Sequence, residues 1–235
     1  MKQTIALVDE RIDKECAAGL MADGFSVFRL PRADGLDLAI ASHTDILAFK
    51  LNDKIFFSKK YFESKLSDKL SLPLSNIILT EEYQGDSYPK DAIFNGLLMG
   101  NRLFCKSDSF SGEILGYADS CGIDIIHVNQ GYPACTVLKI SEDAAITADR
   151  GMEKALLNAG ISVLRIEPGG VSLPPYKYGF IGGAGATFGE NVYFFGDLNS
   201  HPSGKDIASF IKQNGKSAKS LSKNPLSDLG GIIFV

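Results

Sequence analysis

The stretch NQGYPACTVLKISEDAAITADRGMEKALLNAGISVLRIE, residues 129–167, predicts one strand–strand–helix–strand unit. Cys135 to Ile140 reads as a first strand, residues 141–143 as a turn, and the chain up to Thr147 as a second strand, from its β-branched residues. A helix follows from about Arg150 to Ala159, with Asp149 before it and Met152, Ala155, Leu156 and Leu157 on one side. Gly160 ends that helix, and a third strand starts at Ile161.

The same unit recurs along the chain. Second-strand patterns stand at 4–10, 53–59, 101–108, 143–149 and 191–197, each running into a polar residue: Asp9, Ser58, Asp108, Asp149 and Asp197. A helical pattern follows each, and four of the five end at a glycine, Gly24, Gly122, Gly160 or Gly215, where a left-handed backbone is easily adopted. Third strands follow as FSVFRL, SNIILT, IDIIHV, ISVLRI and SAKSLS. The repeated aspartates invite a reading as an acidic ring, but their place between strand and helix predicts helix caps.

First-strand patterns are DILAFKL (45–51), DAIFNGLLM (91–99), CTVLKI (135–140), FIGGAGATF (180–188) and GIIFV (231–235). The last lies at the carboxyl end, whereas the rest of its unit opens the chain. Pairing GIIFV with TIALV closes five units into a ring in which neither terminal segment keeps an unpaired edge. We therefore expect residues 1–235 to form a single α/β domain, a five-bladed pseudo-fivefold propeller closed by the carboxyl-terminal strand.

This pattern, with HTD (43–45), GYPACT (131–136), YGFIGGAG (178–185) and DLGGIIFV (228–235), resembles the pentein superfamily of guanidine-modifying enzymes and ribosome anti-association factors. In combination the motifs most resemble a branch of it without a characterised function. The resemblance implies that first strands surround a central channel, with helices outside. The loops and strand starts at the channel then carry the candidate residues: His43, Asp45, Lys90, Asp91, Asn95, Asn129, Tyr132, Cys135, Tyr176, Lys177, Tyr178 and Asp228.

Catalytic penteins attack a guanidinium or amidine carbon with a cysteine, use a histidine as acid/base, and grip the cation with carboxylates. Each residue type suits that chemistry, since a thiolate is the nucleophile, imidazole titrates near neutrality, and carboxylates accept paired hydrogen bonds from a planar cation. GYPACT resembles their nucleophile segment and His43-Thr44-Asp45 their His-x-Asp element. The resemblance thus implies Cys135 as nucleophile, His43 as acid/base, Asp45 and Asp228 as cation-binding carboxylates, and Asn129, Tyr132 and Tyr178 as further substrate-binding residues. No metal or organic cofactor is required by that chemistry. The family nucleophile sits on the last first strand, where this sequence has LGGIIFV, so Cys135 acts only if the site is rotated by whole units. The alternative is a non-catalytic binding protein of the same fold, built like the anti-association factors around a protein partner.

Simpler roles stand beside these. Cys135 begins an apolar strand and equally reads as a core thiol; Cys16, Cys105 and Cys121 read as core. His43 suits a turn or cap, His127 a structural position in a strand, and His201 a surface turn before Pro202. The glycines of GFIGGAGATFG lead into a strand, which excludes the dinucleotide fingerprint and suggests close strand packing or backbone contact with a ligand.

Composition sets the outer limits. With 45% apolar and 22% charged residues the chain is an ordinary globular one, and its net charge of -4 gives no general attraction to nucleic acid or anionic membrane. Lysines 212, 216, 219 and 223 lack interleaved aromatics and read as a solvated outer face. The four cysteines and three histidines offer no zinc spacing. The amino terminus lacks the apolar core of a signal peptide, and no apolar run approaches bilayer-spanning length. These features predict a cytoplasmic protein with no nucleic-acid or membrane partner, and the resemblance implies a small cationic or amide-bearing molecule as its ligand.

Overall fold

A computed structural model describes residues 3–70 and 72–235. They form five separate three-stranded sheets, each with an antiparallel first pair and a parallel second pair. The archetypal unit pairs Val137–Lys139 antiparallel with Ala144–Thr147, which in turn pairs parallel with Ser162–Arg165 across the helix Arg150–Asn158. That parallel pairing needs a crossover long enough to hold a helix. Asp149 caps the helix by accepting from the Met152 N–H at 2.7 Å, and Met152 and Leu156 are buried beneath it.

The ring closes as expected. Ala6 and Leu7 of the strand Ile5–Asp9 pair antiparallel with Phe234 and Ile233, and the Ile5 and Val235 backbones exchange bonds of 2.8 and 2.9 Å. The carboxyl-terminal strand therefore completes the sheet that opens the chain. Apolar clusters run continuously between neighbouring blades: Leu138, Ile146, Val192 and Phe194 share one, and Phe49, Phe56, Leu103 and Phe94 another. Gly24, Gly122, Gly160 and Gly215 all have positive φ, from 70° to 91°, as the helix-ending role requires.

Several expectations need correction. The first strands are shorter than their apolar patterns: Thr44–Leu47 and Pro133–Thr136 are single helical turns, Lys90–Ala92 is a 3₁₀ turn, and the strands begin at Ala48, Val137 and Leu97. Asp9, Asp108 and Asp197 cap no α-helix; Asp13 and Ser111 cap the helices that follow the first two, and Asp197 caps only the 3₁₀ turn Leu198–Ser200. Cys121 is exposed rather than core, and His201 is buried rather than a surface turn. In the second unit only Lys59–Tyr61 is α-helical before a π-helical stretch, Phe62–Leu66.

Phe234 is 7% exposed and packs against Phe25, Phe188 and Tyr193 with ring centroids 4.8, 4.7 and 6.1 Å away. Closure therefore rests on aromatic packing as well as on the strand pair. Phe234→Ala should lower stability by about 3–5 kcal/mol and Phe188→Ala, which is 39% exposed, by clearly less. Urea unfolding of the two variants checks the order.

Candidate functional site

The helical turns that interrupt the first strands carry the site. Pro133 starts one of them, a position where its missing N–H is no loss. That turn points Cys135 into the ring centre. The other, Thr44–Leu47, is fixed by its partner loop: the Thr44 hydroxyl and the Asp45 N–H both donate to the Gly230 carbonyl, the latter at 3.2 Å. Cys135 and Asp45 thereby meet, the Cys135 thiol donating to Asp45 Oδ2 at 2.7 Å.

Asn95 locks this contact. Its Nδ2 donates to Cys135 Sγ and to the Asp45 carbonyl, each at 3.2 Å, while its Oδ1 accepts from the Ala134 N–H at 2.8 Å. Asn95 is 1% exposed and belongs to the DAIFNGLLM pattern.

His43 lies beside the pair, buried among carboxylates. Its Nδ1 is 4.0 Å from Asp45 Oδ1 and 3.8 Å from Asp228 Oδ1, and its Nε2 is 3.9 Å from Asp9 Oδ2. Neither ring nitrogen, nor Asp45 Oδ1, has a hydrogen-bond partner. Asp228 is held by the Phe180 N–H at 2.8 Å and the Gly230 N–H at 3.1 Å. Glycine is required around it: a Cβ on Gly183 would stand 1.8 Å from Asp228 Oδ1, and one on Gly230 2.5 Å from the His43 Cβ. Asp9 is neutralised by Arg11, 2.6 Å away, and bonded by Ser42 at 2.7 Å.

Burial governs the protonation states. It pushes the Cys135 thiol well above its ordinary range, helped by the Asp45 and Asp228 charges and opposed by the Asn95 donor. It likewise raises the Asp45 carboxyl, with repulsion from Asp228 adding to it. His43 is lowered by burial against the pull of Asp228 and Asp9. Burial therefore favours the thiol, the neutral imidazole and the protonated carboxyl over their charged forms.

Sequence and structure differ in what they gather. His43, Asp45, Cys135 and Asp228 stand together. Tyr132 roofs the centre, its hydroxyl bonded to Asp91 at 2.8 Å and its ring 5.7 Å from that of Tyr88. Asn129 stays outside, its Oδ1 3.4 Å from His127 on an exposed edge. Tyr178 lines a separate pocket of about 120 Å³ with Asp149 and Ile181. Tyr176 bonds Asp37 at the surface, and Lys90 and Lys177 are exposed. Sequence reasoning misses Asp9 because its position repeats that of true caps such as Asp149; Arg11, two residues on, is the available signal.

His43, Asp45 and Cys135 offer donor atoms within 4.8 Å of one another, a set that suits a soft divalent ion. The thiol–carboxylate distance of 2.7 Å is a hydrogen bond, shorter than the roughly 3.5 Å that two ligands of a tetrahedral ion keep. On the other side of the centre a cavity of about 870 Å³ follows the channel, with Asp45, Ala134, Gly182 and Gly230 at its floor. The sulfur stands within 4.8 Å of a His43 ring nitrogen without a hydrogen bond to it, and it does not line this cavity.

The model of a family of unknown function, DUF6873, matches residues 7–233. The chain belongs to that family. No curated protein matches its sequence. In fold it is similar to dimethylarginine dimethylaminohydrolase from Pseudomonas aeruginosa in complex with citrulline, at 9% identity and TM-score 0.56, over 94% of this chain and 92% of that one. It is also similar to the agmatine deiminase of C. jejuni, at 8% identity and TM-score 0.55, over 94% of this chain and 88% of that one. These likenesses establish a pentein-type fold for the DUF6873 chain.

The lowered His43 gives a pH test. Below about pH 6.5 the unfolded imidazole binds a proton that the folded one refuses, so stability falls with pH in that range. Denaturant melts should show the wild type losing ground to His43→Gln between about pH 7 and 5.

Proposed function

We propose that this DUF6873 protein uses Cys135 to cleave or transfer a guanidino or amidino C–N bond. The supporting observation is the buried meeting of the Cys135 thiol, the Asp45 carboxyl and an unpartnered His43 imidazole. Asp45 and Asp228 have no cationic partner among the described residues apart from the His43 ring. A planar cation supplies what the centre lacks, since its N–H groups match Asp45 Oδ1 and the Asp228 carboxylate. The fold-level relatives whose names are dimethylarginine dimethylaminohydrolase and agmatine deiminase support the same substrate class.

The steps follow from the atoms. Arrival of the cation favours the charged forms of Asp45 and the thiol, reversing the effect of burial, and the Asp45 proton leaves to solvent. The thiol proton passes to His43, and the sulfur attacks the central carbon, forming a C–S bond. The C–N bond breaks as the leaving amine takes the proton from the imidazolium. Water, or an acceptor amine, then gives a proton to His43 and attacks the carbon, and the C–S bond breaks to regenerate the thiol. This scheme uses no metal or organic cofactor, and its small cationic substrate is the partner we propose. It needs a reduced thiol, which fits a cytoplasmic setting; all four cysteines are free, and no helix among the described residues is long and apolar enough to cross a membrane.

One observation favours a second reading, a non-catalytic binding protein of the same fold: Cys135 is only 4% exposed and its resting thiol is pushed up. Turnover decides between them. In a screen of guanidino and amidino compounds, we expect wild-type protein to release ammonia or amine. Cys135→Ala should then lower the rate at least about a thousandfold, and His43→Gln by about 10²–10⁴. Release that survives Cys135→Ala contradicts the mechanism, and no release from any compound favours the binding protein.

A further inference from the structure

The cavity beneath the centre is bipolar. All five first strands line it, so its wall is mainly apolar, with Phe49, Leu98, Val137, Leu138 and Phe234 among its side chains. Its floor presents Asp45, whose Oδ1 is buried without a partner. The lining residues at its hairpin end carry Lys50, Lys139 and Lys216, contributed by three different blades. The acidic residue among them, Glu142, is 2.7 Å from Lys139 and already paired with it. Lys50 donates to the Phe234 carbonyl and Lys216 to the Gly189 carbonyl at 2.7 Å. Neither has a carboxylate partner among the described residues, and burial holds the Lys50 pKa below its ordinary value.

An apolar tube with an unsatisfied carboxyl at one end and spare ammonium groups at the other fits a molecule of the reverse polarity. We propose that the channel takes an elongated ligand from its hairpin end: a guanidinium or amidinium head on Asp45, an aliphatic spacer along the wall, and a carboxylate or phosphate tail between Lys50 and Lys216. This rests on the preceding reading for the head alone; the tail and the route are new. Tyr88 packs so closely on Gly131, two residues before Pro133, that a Cβ there would stand 2.3 Å from the ring. Two residues of helical turn, Ile46 and Leu47, and two of strand, Ala48 and Phe49, separate Asp45 from Lys50, a rise of roughly 10 Å over five steps. A spacer of five methylenes bridges that length once the lysine side chain reaches inward.

The test is calorimetric binding of 6-guanidinohexanoate, hexylguanidine and hexanoate to the wild type and to Cys135→Ala, in which no covalent step occurs. We expect 6-guanidinohexanoate to bind at least about tenfold more tightly than either half-molecule. The Lys50→Glu, Lys216→Glu double variant, with thermal unfolding as its folding control, should reduce it to the affinity of hexylguanidine. Asp45→Asn should abolish the preference for the guanidinium. Equal binding of 6-guanidinohexanoate and hexylguanidine, unmoved by the lysine reversals, overturns the tail and leaves the cysteine mechanism standing. Binding of hexanoate as tight as that of 6-guanidinohexanoate, unmoved by Asp45→Asn, overturns the head on Asp45 while turnover of other guanidines still tests the mechanism. Binding of none of the three overturns the proposal. Methyl 6-guanidinohexanoate, which keeps the length and removes the charge, separates an electrostatic tail from mere packing: it should bind like hexylguanidine, and binding as tight as that of the free acid contradicts the proposal.

Discussion

The site depends on acceptors sealed in the ring centre without an internal cation. Arg11 neutralises Asp9, but Asp45 and Asp228 face each other across a neutral imidazole. Burying a charge without a partner is strongly unfavourable, and a protein that keeps such groups either holds them protonated or reserves them for a ligand. Here the raised Asp45 and Cys135 and the lowered His43 are one consequence, a preference for the uncharged forms. The empty coordination of Asp45 Oδ1 and of both imidazole nitrogens is the other. Burial thus favours the uncharged forms of Cys135, Asp45 and His43, and in the mechanism we propose a bound cation reverses that preference.

The fold sustains that arrangement by spreading its support over every blade. Asp228 and Gly230 come from the loop before the closing strand, His43 and Asp45 from the second unit, Asn95 from the third, and Cys135 from the fourth. The fifth supplies Gly182 and Gly183, the first lying so close to the Ala134 carbonyl that a Cβ would be 2.2 Å from it. Pairing of Phe234 with Ala6 fixes the ring, and with it the separation of all these loops. A preorganised centre of this kind is assembled by closure rather than by any one element.

Much of this was legible in the sequence because repeats expose their own grammar. GIIFV lacked a following unit and TIALV a preceding strand, so closure followed from counting. Cys135, His43, Asp45 and Asp228 stood out as polar residues at the ends of apolar first strands. The helical turns at 44–47 and 133–136 were not legible in those apolar runs, although Pro133 is a known starter of helical turns. Asn95 stood among the channel candidates, but its bonds to Cys135 and Asp45 are visible only in three dimensions, and Asp9 blended into a row of caps. The cavity's charge polarity escaped sequence reading altogether, because Lys50, Lys139 and Lys216 fall on the outer ends of different blades, far apart in the chain.

The most direct test of the central claim is the number of protons exchanged when a cation enters the site. It is read by titrating hexylguanidine into the protein calorimetrically at neutral pH in two buffers of different ionisation enthalpy. The account predicts net proton release, since Asp45 gives up the proton that burial favours while the Cys135 proton stays within the site on His43, and predicts that Asp45→Asn abolishes most of it. Binding with no exchange, or with proton uptake, would contradict a centre held neutral until its cation arrives.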